Sequence, residues 1–196
     1  MKIYDFKQGT PDWFKIRLGK LTASNAQSIA NNGIGLDSLV YEKVAEILTG
    51  KQKEEYTNED IERGHELEAM ARNSYELERA GELVKEVGFI EQDNYIGCSP
   101  DGLVGDKGLF EVKCKDDKNF VKYLYDKKID PAHDWQMQMQ MLVANREWCD
   151  YVVFNPNFND PVIIKRIARD EVKIAKLKAG LAVGTAKIQA VLEAIK

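Results

Sequence analysis

Apolar residues recur at intervals of three and four in some segments of this chain, and alternate or run together in others. The first pattern marks helices and the second strands. Leu39, Val40, Val44, Ile47 and Leu48 make a helical stripe from about Asp37 to Thr49, closed by Gly50, and all five are read as core. Ile61, Gly64, Glu68, Ala71 and Tyr75 share one face of a helix from roughly Glu59 to Arg79. Ile174, Leu177, Leu181, Gly184, Ile188, Val191 and Ile195 keep the same rhythm between Asp170 and Ile195, giving one long helix packed on the core or on a neighbouring subunit. Gly180 and Gly184 allow it close packing or a bend. Thr10-Pro11 opens a short helix ending near Leu18-Gly19, and Thr22 or Ser24 can cap another that runs to about Asn31. Lys115 to Lys128, with Phe120, Tyr123 and Leu124, reads as a short amphipathic helix whose lysines form a solvated face by default, with contact to a DNA backbone as the lesser alternative.

Strands are expected at Leu83 to Glu91, Tyr95 to Cys98, Leu109 to Cys114, Cys149 to Phe154 and Pro161 to Ala168. The segment His133 to Asn145 fits two periods. Its Gln/Met alternation suits a strand, while Gln136/Gln140 and Met137/Met141 suit helical i, i+4 spacing. Lys51 to Asn58 is polar and aperiodic and reads as a loop. Helices first, then a mixed sheet of four or five strands, then helix, strand, strand and helix is an α/β order, and 196 residues suit one domain over 1–196.

Chemistry concentrates around Pro100-Asp101-Gly102 and Glu111-Val112-Lys113. The first is a turn signal that bends one strand back, and the second lies on the strand that follows, where alternation points Glu111 and Lys113 to one face. Two carboxylates beside a lysine are costly to gather unless a cation neutralises them. Hard oxygen ligands select Mg²⁺ or Mn²⁺, and Asp101, Glu111 and the Val112 carbonyl can supply the protein's share, with Lys113 beside the attacking water. An ordinary hairpin with a surface ion pair would carry the same residues. Glu68, flanked by the small Gly64 and Ala71, interrupts an apolar face and needs an ion pair, to Arg63, Arg72 or a lysine, or a metal. Arg17 shortly before a helix start with the hydroxyls of Thr22 and Ser24 can form a phosphate cradle, though on composition alone an ordinary capped helix with a surface arginine is the favoured reading.

The formal net charge of −4 excludes a protein that grips nucleic acid by overall basicity, so a DNA enzyme of this charge must confine its basic residues to a channel or enclose its substrate. Three scattered cysteines without a CxxC argue against a zinc or iron–sulfur centre and fit a reducing cytoplasm. The N-terminal residues read as no signal peptide, and no apolar run approaches a membrane span.

Pro100-Asp101…Glu111-Val112-Lys113 is similar to the signature of the PD-(D/E)XK nuclease superfamily. Cys98-Ser99-Pro100-Asp101-Gly102-Leu103 resembles the same segment of the phage lambda exonuclease and YqaJ-type viral recombinase family. The likeness runs from about Gln8 to about Pro156. It takes in Gln8-Gly9-Thr10…Trp13…Arg17-Leu18-Gly19…Thr22-Ala23-Ser24, the Gly64 to Glu68 helix, and a Q-x-Q helix at Gln136 and Gln138. This resemblance implies a restriction-endonuclease-like α/β core with a central mixed β-sheet flanked by helices. It implies a metal-dependent, processive 5′-to-3′ exonuclease on double-stranded DNA, leaving a 3′ overhang for single-strand-annealing recombination. Mg²⁺ is the implied cofactor, with Mn²⁺ as a substitute. Two ions per site would be held by Asp101, Glu111, the Val112 carbonyl and Glu68. Lys113 would act with Gln138, then Gln136, beside the water, while Arg17 and Ser24, with Thr22 and Ser99, would bind the 5′-phosphate. A ring-shaped homotrimer, a single-strand annealing protein as partner, no membrane, and a phage or prophage origin with action in the cytoplasm of a bacterial host complete the picture. The chain is shorter than lambda exonuclease, and Gly33 to Asn58 does not match it closely, so strand-separating and channel-lining residues do not carry over. Two rival readings remain: an endonuclease on the same core, which would cut circular DNA, and a catalytically silent DNA-end-binding protein. The silent protein would lack a ligand, whereas Glu68, Asp101, Glu111 and Lys113 are all present.

Overall fold

A computed structural model describes residues 1–52 and 58–195, with the backbone alone over 58–65. The segment 53–57, the side chains of Ile61 and Arg63 and the surroundings of Gly64 lie outside the described residues. In chain order the elements are β1 (Lys2–Tyr4), α1 (Pro11–Arg17), β2 (Leu21–Thr22), α2 (Ala26–Asn31), α3 (Ile34–Thr49) and α4 (Asn58–Glu78). Then come β3 (Val84–Lys85), β4 (Phe89–Glu91), β5 (Ile96–Cys98), β6 (Gly102–Val104), β7 (Gly108–Cys114) and α5 (Asp117–Asp126). The chain closes with α6 (Pro131–Val143), β8 (Trp148–Phe154), β9 (Val162–Ala168) and α7 (Glu171–Ala194).

The strands form two mixed sheets where one was expected. One has the order β1-β4-β5-β2 and the other β3-β6-β7-β8-β9. The run from Leu83 to Glu91 is therefore not one strand. Its halves join different sheets, and between them the Gly88 N–H donates to the Tyr4 carbonyl at 2.9 Å, tying the chain to β1. Pro100-Asp101 is likewise no hairpin turn, because β5 and β6 belong to different sheets and the residues between them cross the seam. The hairpin lies one strand later, where β6 and β7 pair antiparallel around Gly105, which has a φ of +50°. β7 and β8, which need a long crossover, pair in parallel through α5 and α6.

Alternation sorts the faces of the larger sheet. Phe110 and Val112 point to α4, where Ala71 and Tyr75 cover them together with Val84, Val104, Val152 and Phe154. Leu109, Cys149, Tyr151 and Val153 point the other way into the main core, built with α2, α3, α6 and α7. The segment 133–145 is helical, as α6, and its Met137, Met139 and Met141 are all buried. In α7 a side chain at Gly180 would stand 1.9 Å from the Ile29 carbonyl oxygen, so the two glycines serve close packing against α2 and β2.

Some expectations fail locally. α3 begins a turn early, at Ile34, and its Ile47 and Leu48 are 40% and 62% exposed instead of core. Neither Thr22 nor Ser24 caps α2, because a 3₁₀ turn, Ala23–Asn25, intervenes and the two hydroxyls bond to each other at 3.1 Å. Thr10 holds the N-cap position of α1, but its hydroxyl donates to the Lys7 carbonyl. Among the described residues no helix is long and apolar enough to cross a membrane.

One buried charge fastens α4 to the sheet. Asp150, with no exposed surface, accepts from Arg166 at 2.8 and 2.9 Å and from the Tyr75 hydroxyl at 2.8 Å, and pairs with Arg79 at 3.3 Å. The Arg166 guanidinium also stacks on Trp148, 3.4 Å from the ring centre. Removing a cation from such a cluster leaves a buried carboxylate short of compensation. Arg166→Ala is therefore expected to cost up to about 3–5 kcal/mol in urea unfolding, and more than Asp150→Asn, which removes the charge itself.

Candidate active site

Strand register brings the distant acidic residues together. β6 and β7 pair antiparallel with Gly102 opposite Phe110, so Asp101, just before β6, falls opposite Glu111. Because β6 starts only at Gly102, the edge of β7 has no strand partner beyond Phe110. There the Val112 N–H donates instead to Asp101 Oδ2 at 2.8 Å. A strand residue's N–H and C=O point to the same edge, so the Val112 carbonyl faces this opening too.

Glu111 is 1% exposed and sits at the centre of the cluster. Its Oε1 accepts from Lys113 Nζ and Gln136 Nε2, both at 2.7 Å, and its Oε2 accepts from Gln140 Nε2 at 2.7 Å. Gln136 and Gln140 stand one helical turn apart on α6 and clasp both carboxylate oxygens. Gln138 does not join them. Its amide donates to the Ala168 carbonyl at 3.0 Å and its oxygen accepts from the Asp170 N–H at 2.9 Å, so it seals the junction of β9 and α7. The expectation of Gln138 beside Lys113 is thus corrected. Two residues along a helix is a rotation of about 200°, which puts Gln138 on the face opposite Gln136.

The electrostatics are those of an acid-rich site. Burial, then the nearby charges of Glu111 and Glu68, holds the Asp101 carboxyl well above the ordinary aspartate value, against the pull of Lys113 and the Val112 N–H. Burial works to lower the Lys113 ammonium, but Glu111 and Asp101 outweigh it and hold it above the ordinary lysine value. The Cys114 thiol, pushed up to about 12 by burial and then by Glu68 and Asp101, is no nucleophile at neutral pH. Among the described residues no three carboxylate, imidazole or thiol side chains stand together as a metal cage. Mg²⁺ does not need one, since it takes one or two carboxylates and keeps its waters. Asp101, with Oδ1 beyond the Val112 bond, Glu111 and the Val112 carbonyl could meet that demand.

Beside the acids lies a polar group from the start of the chain. β2 and β5 pair in parallel with Thr22 opposite Gly97, and just past them Ser24 and Ser99 line the same cleft. Ser99 Oγ accepts from the Trp13 indole at 2.8 Å and from Arg17 Nη1 at 3.3 Å. With both acceptor positions used, its hydroxyl proton is left to donate outward. Arg17 stacks on Trp13, 4.2 Å from the ring centre, which fixes the guanidinium in place. Thr22 is buried and bonds only within this turn, while Ser24 is exposed.

One cleft of about 140 Å³ is lined by Arg17, Ser24, Ser99, Asp101, Glu111 and Lys113, with Gln8, Trp13 and Gln136 also on its wall. Glu68 lies across Asp101, in an adjoining cleft of about 240 Å³ with Arg72. Gln8 borders both and braces the seam, its Nε2 donating to the Val87 and Pro100 carbonyls at 3.0 Å each. Gln8, Trp13 and Gln140 had no assigned role in the sequence. Gln8 and Trp13 stand in the opening motif that carries the resemblance, and the i, i+4 spacing from Gln136 marks Gln140. Chemically, the cleft offers an anion anchor at one end and a cation-binding, water-activating group at the other.

A family model for the YqaJ-like viral recombinase domain matches residues 12–147. Among solved structures, the chain is similar to an alkaline exonuclease, LHK-Exo, from Laribacter hongkongensis, at 35% identity and a TM-score of 0.84 over 95% of this chain and 96% of that one. The same enzyme in complex with dAMP matches at 36% identity and a TM-score of 0.84, with the same coverage. A phage-related exonuclease from Haemophilus somnus 129PT shares the fold, at 19% identity and a TM-score of 0.65 over 90% of this chain and 96% of that one. No curated protein sequence matches the chain. With the family model spanning most of the chain and a relative at 35% identity over nearly all of it, the chain belongs to the YqaJ-like viral recombinase family.

Proposed function

We propose that this chain is a Mg²⁺-dependent exonuclease that hydrolyses one strand of duplex DNA from its 5′ end, releasing deoxynucleoside monophosphates and leaving a 3′ overhang for annealing recombination. The observation that carries the reading is the shared cleft, where Arg17, Ser24 and Ser99 face the same space as Asp101, Glu111 and Lys113. The similar LHK-Exo structure with dAMP supports this product class. Mn²⁺ can replace Mg²⁺, and a second ion would be shared by Asp101 and Glu68.

In this mechanism Arg17 and the outward proton of Ser99, with Ser24 opposite, bind the terminal phosphate and so set polarity. Thr22 supports Ser24 through their hydroxyl contact. Asp101, Glu111 and the Val112 carbonyl would hold the metal, which when bound polarises the phosphoryl group and lowers the pKa of a water. Lys113 lies where it can orient that water and stabilise charge on the phosphoryl oxygens. Gln136 and Gln140 keep Glu111 from swinging towards the lysine alone, and Gln136, on the cleft wall, serves the water as well. Processivity by a ring-shaped trimer enclosing the duplex and a partnership with a single-strand annealing protein extend the proposal. So does action in the cytoplasm of a phage-infected or prophage-bearing bacterium.

Linear duplex with a 5′-phosphate is expected to be degraded faster than duplex with a 5′-hydroxyl, and covalently closed circles not at all. Arg17→Ala should erase that phosphate preference, a loss of roughly 10–100-fold from one charge-assisted contact. Nicking of closed circles would replace this reading with the endonuclease one, and no cleavage of any substrate would favour the silent end-binding protein. Lys113→Ala should lower kcat by about 10²–10³-fold. Gln140→Ala should lower activity or metal affinity about 10–100-fold. Gln138→Ala should instead appear mainly as about 1–3 kcal/mol of lost stability in urea unfolding.

The raised Asp101 carboxyl gives a pH signature. Between the ordinary aspartate value and its raised one, the folded metal-free protein binds more protons here than the unfolded chain does, so this group's contribution to stability falls as pH rises. The thermal midpoint of Asp101→Asn relative to wild type should therefore climb with pH in EDTA. Mg²⁺ should raise the midpoint of wild type at neutral pH and have little effect on the variant.

A further inference from the structure

Five of the 28 basic residues of this acidic chain gather at one cleft. Lys115, Lys122, Lys127, Lys128 and Lys165 line a single cleft of about 640 Å³, although the protein's formal net charge is −4. They come from the exit of β7, from α5, from the link to α6 and from β9. None of the five forms an ion pair with a described carboxylate. The two acids on the wall are engaged as backbone acceptors, Asp126 from Lys128 N–H at 2.9 Å and Asp130 from Ala132 N–H at 2.8 Å.

Strand register joins this cleft to the acid cluster. Glu111 pairs with Tyr151 across β7 and β8, and Tyr151 pairs with Lys165 across β8 and β9. Paired residues point to the same face, so Glu111, Tyr151 and Lys165 stand in one row, with Lys165 two strand spacings, about 10 Å, from Glu111. Lys115 follows Lys113 by two residues, about 7 Å along the chain. His133 stands between the two regions, its Nδ1 3.1 Å from the Tyr151 hydroxyl and its ring within the field of both Lys113 and Lys115.

We propose that this lysine cleft carries the sugar-phosphate backbone of duplex DNA beside the end being cut. The inference rests on the exonuclease reading and deepens it. A duplex approaching a protein of net negative charge meets repulsion everywhere except where cations are concentrated, and each phosphate neutralised there releases condensed counterions. The concave shape and the unpaired lysines favour a polyanion that must be held without being read, since ammonium groups contact phosphates and carry no base code. Lys118, exposed on α5 but not on the cleft wall, distinguishes the track from the solvated face of the same helix.

The test measures fluorescence anisotropy of a labelled 5′-phosphorylated duplex, in Ca²⁺ to hold back cleavage, across a range of salt. It compares wild type, the double variant Lys122→Gln/Lys127→Gln, and Lys118→Gln. All three altered positions are exposed, so the folds should hold, and circular dichroism checks that they do. The double variant is expected to bind roughly ten-fold more weakly at moderate salt and to lose about two from the slope of log K against log salt, with Lys118→Gln like wild type. Equal slopes for wild type and the double variant, with wild type binding and degrading duplex normally, would overturn the track and leave the exonuclease reading standing. A slope lost equally in Lys118→Gln would overturn it in favour of diffuse attraction by the whole of α5. Failure of wild type to bind or degrade duplex at all would overturn both readings together.

Discussion

A carboxylate with almost no exposed surface in the middle strand of a sheet has to be compensated, and Glu111 is that carboxylate. Its compensation comes from one lysine on its own strand and two glutamines one turn apart on α6. Placement of α6 over the sheet is therefore set by an electrostatic requirement as well as by methionine packing. Asp101 adds a second acid to the same opening, held by a backbone N–H of β7 that lies beyond the reach of β6. Lys113 is the cation that both acids face, through its 2.7 Å bond to Glu111 and its charge beside Asp101.

Everything else in the site hangs from short strands. Two residues of β2 pair with β5 and bring the first helix and its arginine to the seam between the sheets. Gln8 then bonds across that seam to two carbonyls. A side chain lost here does not touch the acids, yet it loosens the peptide that carries Asp101. On the far face, Asp150 and its arginines hold α4, the helix that brings Glu68 to the adjoining cleft.

Much of this was legible in the sequence. The alternation of Leu109 to Cys114 placed Glu111 and Lys113 on one face, and the family resemblance set Arg17 and Ser24 beside them, where all four line one cleft. What was not legible depended on distance. Strands of two or three residues, such as β1 and β2, are too short for a period to show, and the division of 83–91 between two sheets is set by contacts with β1 and β6. The bond from Trp13 to Ser99 spans a long stretch of chain and follows only from the pairing of β2 and β5. Gln138 was misplaced because the resemblance to a Q-x-Q helix does not say which glutamine faces the sheet, and on a helix only one member of such a pair can face β7. Ile47 and Leu48 kept the helical rhythm but lie where α3 runs past the end of the core.

Ser99 and Asp101 sit on the same short peptide, separated by a single proline, so their Cα atoms cannot stand more than about 7 Å apart. Under the proposed function that peptide acts as a ruler. The terminal phosphate rests at one mark and the bond to be cut at the other. Each cleavage leaves a fresh phosphate on the shortened strand, the same chemical group the first mark accepts. The product end is thus the next substrate, and the step length is written into the covalent geometry of three residues instead of into any moving part.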